Sequence, residues 1–242
     1  MEDTKIIYED KDLLVVDKPA GVLTHPTLAN EKNALTVWFK EKHPEVIGLN
    51  WPDMTRPGVV HRLDKDTSGL ILMAKDPQTL EKLQNLFQSR DVKKTYTALV
   101  LGRLEANGKI EASITRGEAG LQKVLDTTYS FSKEKIRPAV TEYRIVKHLR
   151  YRDDNLTLIE VMPKTGRMHQ IRVHLKHIGY PIIGDSLYNN KLSRKISKEL
   201  NLNRQFLHSS KVEFINPVIN KKMQFDSPLP EDLKDIIVKL HE

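Results

Sequence analysis

His61-Arg62-Leu63-Asp64-Lys65-Asp66-Thr67-Ser68-Gly69 sets one carboxylate, Asp64, between two apolar segments, Pro57 to Val60 and Leu70 to Ala74. Val, Leu and Ile dominate both flanks and a turn cluster separates them, so each flank reads as a short buried strand. A side chain at such a junction is held by packed elements. Arg62 and Lys65 bracket Asp64, and nearby cations favour the ionised form of an acid. An ionised carboxylate suits a nucleophile, whereas a general acid needs its proton. An Asp in a Leu-Asp-Lys-Asp-Thr-Ser-Gly run can also simply hydrogen-bond the backbone of a turn.

Working outward, Lys5-Ile6-Ile7-Tyr8 and Leu13-Leu14-Val15-Val16 read as strands joined by a turn at Glu9 to Asp12, and Lys18-Pro19-Ala20-Gly21 as the loop that follows. Asn33 to Lys42 is helical in character and Pro44 stops it. Asp76 is placed as N-cap and Pro77 as first residue of a second helix, striped by Leu80, Leu83, Leu86 and Phe87. Strands are expected over Tyr96 to Leu101, near Ile110 after the Asn107-Gly108 turn, over Thr141 to Val146 and over Leu156 to Met162. Met168 to Ile178 and Pro230 to Leu240 fit helices. Gly117 to Lys135, rich in charge and poor in core residues, is expected to form a protruding loop or weak hairpin. Many strands and few helices, without regular βαβ alternation, indicate an α+β fold.

A chain of 242 residues can bury one large core or a core with two lobes. Its net charge of +7 favours a polyanionic partner. The absence of cysteine excludes disulfides, thiolate zinc sites and cysteine nucleophiles. Met-Glu-Asp-Thr-Lys opens the chain without an apolar leader, and no apolar run is long enough to span a membrane. A soluble, cytoplasmic protein is the expectation.

HRLDKDTSGL at residues 61–70 resembles the signature of the RluA-type pseudouridine synthases. Further stretches resemble the family's motifs in the same order. These are Tyr8 to Gly21 with Lys18-Pro19-Ala20-Gly21, Lys94-Thr95-Tyr96-Thr97-Ala98-Leu99-Val100, and Thr165-Gly166-Arg167-Met168-His169-Gln170-Ile171-Arg172-Val173-His174. Gly179 to Tyr188 and Phe206-Leu207-His208 also fit, so the likeness runs from about Ile6 to about Pro230.

The resemblance implies a mixed, largely antiparallel central sheet with flanking helices and a central RNA-binding cleft. It implies RNA uridine isomerisation without cofactor or metal, with Asp64 as the nucleophile. Arg172 is implied to pair with that carboxylate and keep it ionised and oriented, as a bidentate guanidinium can. Tyr96 is implied to pack on the extruded base and to serve proton transfer at C5. On an alternating strand Arg62 would share a face with Asp64, and the resemblance has it displace the target nucleotide. His61 would then point to the opposite face in a structural role. Lys18, Arg167, His169 and Gln170 are candidates for phosphate, sugar or base-edge contacts, and Leu207 for packing beneath the base.

Readings from other classes fare worse. The order His-Arg-Leu-Asp is wrong for a kinase catalytic loop, and no Gly-rich loop or Asp-Phe-Gly accompanies it. Asp64 and Asp66 match no glycosidase motif, and His169, His174 and His177 lack metal-ligand spacing. A non-catalytic RNA-binding or ribosome-assembly protein is the rival class, but a pure binder would not need Asp64, Tyr96 and Arg172 together. Arg56-Pro57-Gly58-Val59-Val60-His61 most resembles the subgroup acting on large-subunit ribosomal RNA, with tRNA as the alternative substrate. Many relatives carry an N-terminal S4 RNA-binding domain. Here the first hairpin begins near residue 5, so a single catalytic domain over 1–242 without S4, acting as a monomer, is expected.

Overall fold

The computed structural model describes residues 4–28, 31–117, 121–125 and 136–242. The chain forms two compact units, Met1–Lys94 with Ser209–Pro228, and Thr95–His208 with Leu229–Glu242. Both combine antiparallel strand pairs with short helices, and among the described residues five α-helices flank the sheet strands, an α+β architecture.

In the first unit, β1 (Lys5–Glu9) and β2 (Leu13–Lys18) form the expected hairpin. Asp10 closes its turn: one carboxylate oxygen accepts the N–H groups of Asp12 and Leu13 at 2.9 and 2.7 Å. β2 pairs antiparallel with β3 (Ser68–Ala74), whose seven residues are all buried, in a register that sets Lys18 opposite Gly69. The other edge of β3 is taken by β10 (Leu207–Asn216), which forms a hairpin with β11 (Lys221–Asp226). α1 (Leu35–Lys42) stops just short of Pro44. α2 (Pro77–Ser89) begins as its sequence indicates, with the Asp76 carboxylate accepting the Thr79 N–H at 2.9 Å and Pro77 at the first position.

Pro57 to Val60 is not a strand. Gly58 sits at φ +71, a left-handed conformation that turns the chain across the end of β3. Its carbonyl accepts the Ala74 N–H at 2.9 Å, and Val59 makes a single antiparallel bridge to Met73. A Cβ at Gly58 would lie 2.5 Å from the Ala74 carbonyl and 2.8 Å from the Phe39 ring, so this crossing needs glycine.

In the second unit, β4 (Lys93–Leu101), β9 (Asp154–Pro163), β8 (Val140–Tyr151) and β5 (Gly108–Glu111) lie side by side in that order. β6 (Ile114–Arg116) and β7 (Gln122–Val124) pair separately; of the segment expected to protrude, residues 118–120 and 126–135 lie outside the described residues. α3 (Gln170–His177) starts two residues later than expected, because His169 adopts φ +54 and cannot continue a helix backwards. α4 (Lys191–Glu199) follows a capping box in which Asn190 and Ser193 serve each other's backbone N–H. α5 (Glu231–Val238) packs Leu233 and Ile236 inward.

Gly69 ties β3 to β10. At φ +113, an added Cβ would fall 2.3 to 2.8 Å from the backbone of Ser209. Gly69→Ala is therefore expected to lower the urea-unfolding free energy by about 3 kcal/mol, from combined backbone strain and overpacking. A loss below about 1 kcal/mol would show that the two backbones can separate without cost.

Candidate active site

Asp64 stands at the start of a turn between Leu63 and β3. The turn is closed by its main-chain carbonyl, which accepts the Thr67 N–H at 3.1 Å. Both neighbours of Asp64 are fixed from the Lys18 to Thr24 loop. On one side, Thr24 Oγ1 donates to the Leu63 carbonyl at 3.0 Å and accepts the Leu63 N–H at 3.2 Å. On the other, the Lys65 carbonyl accepts the Gly21 N–H at 3.0 Å and the Lys18 ammonium at 3.0 Å. Lys18 is fully buried, and its ammonium also donates to the carbonyls of Val22 and Pro19 at 2.8 and 2.9 Å. One hydroxyl and one ammonium thus hold the peptide units on either side of the carboxylate, while Asp64 itself is half-buried.

His61 turns away from Asp64. Its ring stacks on Phe87 of α2 at 4.5 Å and 17°, and its Nε2 accepts the Leu72 N–H of β3 at 3.0 Å. The ring proton therefore sits on Nδ1. Burial, with the nearby Lys94 ammonium, pushes the imidazole from 6.5 to about 3.

In the second unit Arg172, on α3, is buried against Asp185. Its Nε and Nη2 donate to the two carboxylate oxygens at 2.7 and 2.8 Å, a bidentate pair. The guanidinium carbon lies 5.2 Å from the centre of the Tyr188 ring. Burial alone would push the Asp185 carboxyl up. The Arg172 guanidinium and the N–H groups of Tyr188 and Leu187 outweigh it and hold the carboxyl below its ordinary value. Tyr96 lies on β4, buried, in register with Val161 of β9, and Leu207 is buried at the start of β10.

A family model described as RNA pseudouridylate synthase matches residues 12–177, a span that takes in the Asp64 loop, Tyr96 and Arg172. The chain belongs to the RNA pseudouridylate synthase family. It is similar to the ribosomal large subunit pseudouridine synthase D of Buchnera aphidicola, at 34% identity over 97% of this chain and 72% of that protein. It is also similar to an uncharacterized RNA pseudouridine synthase of Bacillus subtilis, at 36% identity over 99% of this chain and 74% of that one. Human RNA pseudouridylate synthase domain containing 4 has a solved structure that matches with TM-score 0.72 at 25% identity, covering 98% of this chain and 94% of that one. Human RNA pseudouridylate synthase domain containing 1 matches in fold with TM-score 0.74 at 24% identity, covering 95% of this chain and 84% of that one. The protein is thus an RNA pseudouridine synthase, an enzyme whose substrate is RNA.

Several expectations about single residues change in the structure of this synthase. Lys18 does not reach outward to RNA, because its ammonium is buried among three carbonyls. Gln170 is likewise turned inward. Its amide oxygen accepts Thr165 Oγ1 at 2.7 Å and the Arg167 N–H at 3.0 Å, and its nitrogen donates to the Val140 carbonyl and Thr141 Oγ1. With the amide fully engaged, Gln170 organises the loop before α3. Arg62 lies outside any strand, so alternation does not set its direction; it is exposed, and with burial and Arg56 its charge pushes the His25 imidazole down. Arg167 reaches the Pro138 carbonyl at a long 3.4 Å, and His169 Nδ1 lies 3.0 Å from the Tyr188 hydroxyl. Asp185 and Thr24 escaped the sequence reading. Asp185 had a usable signal, a carboxylate one glycine after the apolar run Pro181-Ile182-Ile183, which needs a cation if buried; Thr24 had none.

Lys18→Met keeps the stem but takes the ammonium from the carbonyls of Pro19, Val22 and Lys65, of which Lys65 keeps the Gly21 N–H, at about 1 kcal/mol each. The unfolding free energy is expected to fall by about 3 kcal/mol, with tritium release from uridine-labelled RNA lost more than tenfold in the protein that remains folded. Wild-type release from folded Lys18→Met would show that the Asp64 loop keeps its shape without the ammonium. For His61 the folded value lies below the unfolded 6.5. Above pH 6.5 neither state takes the proton. Between 6.5 and about 3 only the unfolded chain does, so stability falls with pH, by about 2 kcal/mol at pH 5 from this residue. Urea unfolding at pH 7 and pH 5 should show that much less acid sensitivity in His61→Phe than in the wild type.

Proposed function

We propose that this synthase converts uridines of large-subunit ribosomal RNA to pseudouridine with Asp64 as the attacking carboxylate. Isomerisation breaks the bond between N1 of the base and C1′ of the sugar. It forms the bond between C5 and C1′, passes the C5 proton to solvent and returns a proton to N1. All atoms come from the nucleotide and water, so the protein has to supply a carboxylate, a place for the turning base and a path for one proton.

The observation that supports Asp64 in that role is the double anchoring of its neighbours. Thr24 holds Leu63 and Lys18 holds Lys65. A nucleophile gains from this because its aim is set before substrate arrives. Tyr96 is the aromatic proposed to lie against the base, and Arg172 the cation proposed to favour the ionised carboxylate, with Leu207 packing beneath the base. Arg62, Arg167 and His169 are proposed RNA contacts. The ribosomal substrate is supported by the names of relatives in Buchnera, Yersinia pestis and Pseudomonas aeruginosa, each a ribosomal large subunit pseudouridine synthase D. Units whose boundaries fall inside β4 and β10 fit one catalytic domain. We place the enzyme in the cytoplasm as a monomer; among the described residues no helix is long and apolar enough to cross a membrane.

Tritium release from RNA labelled at uridine C5 tests both parts. Wild-type protein is expected to release label from large-subunit ribosomal RNA and not from tRNA. Asp64→Asn, isosteric but non-nucleophilic, is expected to lose at least about 1000-fold in rate while binding RNA within about threefold. Release by Asp64→Asn at the wild-type rate would remove Asp64 from the chemistry, and release from tRNA alone would move the substrate.

A further inference from the structure

We propose that Asp185 and Tyr188 are positioning residues for Arg172, and that they set the rate of isomerisation without touching RNA; the proposal rests on the role given to Arg172 above. Arg172 is a planar cation on a flexible stem, and it is held from two directions. Asp185 takes Nε and Nη2 edge-on at 2.7 and 2.8 Å, with the two side chains 5% and 0% exposed. Tyr188 lies against the guanidinium at 5.2 Å. Together they fix both the plane of the group and its rotation within that plane.

The holders are themselves held. The Asp185 oxygen that accepts Nη2 also accepts the N–H groups of Leu187 and Tyr188, each at 2.9 Å, and Asn189 Nδ2 donates to the Asp185 carbonyl at 2.9 Å. Gly184, immediately before, sits at φ +82 where an added Cβ would fall 1.9 Å from the Arg204 carbonyl, and its N–H donates to Ser197 Oγ at 2.7 Å. The Tyr188 hydroxyl accepts the Gln122 N–H of β7 at 2.8 Å and lies 3.0 Å from His169 Nδ1. A buried ion pair is weak evidence for stability, because a well-packed apolar pair serves as well or better. What an apolar pair cannot do is aim a charge. Asp185 and Tyr188 supply that aim, and the bonds onto Asp185 and the Tyr188 hydroxyl leave neither free to follow Arg172 if it swings.

The test uses full-length protein, the RNA that the wild type turns over, single-turnover tritium release, RNA affinity by filter binding and folded fraction by circular dichroism. Asp185→Asn is expected to lower the single-turnover rate by about 100-fold with RNA affinity within about threefold. Asp185→Glu keeps the charge but shifts it by one methylene, and is expected to stay folded and still lose about tenfold. Tyr188→Leu is expected to lose about tenfold, and Tyr188→Phe, which restores the ring but not the hydroxyl that anchors it, to recover part of that loss. Should Asp185→Asn fail to fold, the Asp185→Glu and Tyr188→Leu rates decide. Wild-type rates in folded Asp185→Glu and Tyr188→Leu overturn the proposal, as does a rate loss that only tracks the folded fraction. Arg172→Lys, measured alongside, separates the two levels. If it keeps the wild-type rate, the role of Arg172 fails and the proposal with it. If it loses rate while the Asp185 and Tyr188 variants do not, only the positioning proposal fails.

Discussion

The buried ammonium of Lys18 is the constraint on which the first unit's Asp64 loop depends. An unmatched charge in a protein interior is costly. Lys18 meets that cost with carbonyls from three places in the chain: its neighbour Pro19, Val22 one turn of loop further on, and Lys65 far away in sequence. Removing the charge would take a donor from all three together and leave the Lys65 carbonyl with the Gly21 N–H. The same group therefore shapes the loop after β2 and fastens it to the segment that carries Asp64. Thr24 supplies the second fastening, so the loop grips Asp64's neighbours on both sides and leaves the carboxylate's own residue to be aimed rather than packed.

The second unit solves a different problem with similar means. Arg172 is a cation taken out of water, matched there by Asp185 and by the face of Tyr188. In both units a buried cation bonds within the protein, Lys18 to three carbonyls and Arg172 to a carboxylate. The difference follows from geometry. An ammonium spreads three bonds over separate acceptors and can staple loops together, whereas a guanidinium presents a flat fork that one carboxylate can orient.

Much of the fold could be read from residue patterns, because β1, β2, α2, β8 and β9 obey local rules: an Asp-centred turn, an Asp-Pro helix start, alternation and a short connection. Two misses fell where a tertiary contact overrides the local pattern. Pro57 to Val60 looks like a strand by composition, but Gly58 is required to cross Ala74 and Phe39, which only the folded chain reveals. Met168 and His169 look helical, but His169 takes a left-handed conformation beside Tyr188. β10 and α4 were missed although Val212 and Phe214 alternate and Asn190 caps. In the site, residue types were legible and directions were not. Lys18 and Gln170 are polar residues of the kind that contact RNA, and nothing in their local sequence says that their partners are backbone groups of distant segments.

Gly69 leaves no room for anything but backbone between β3 and Ser209, which makes the first unit discontinuous in the chain. During synthesis Lys94 emerges roughly a hundred residues before Ser209, a delay on the order of ten seconds at ordinary elongation rates. Until β10 arrives, the part of the fully buried strand around Gly69 has no partner on the edge away from β2, whereas Met73 further along is already bridged by Val59. The nascent protein therefore spends that interval with part of an apolar strand edge open, although the Lys18 and Thr24 fastenings of the Asp64 segment are already synthesised, so a truncated product of a stalled ribosome would carry that exposed edge and would be a natural client for chaperones.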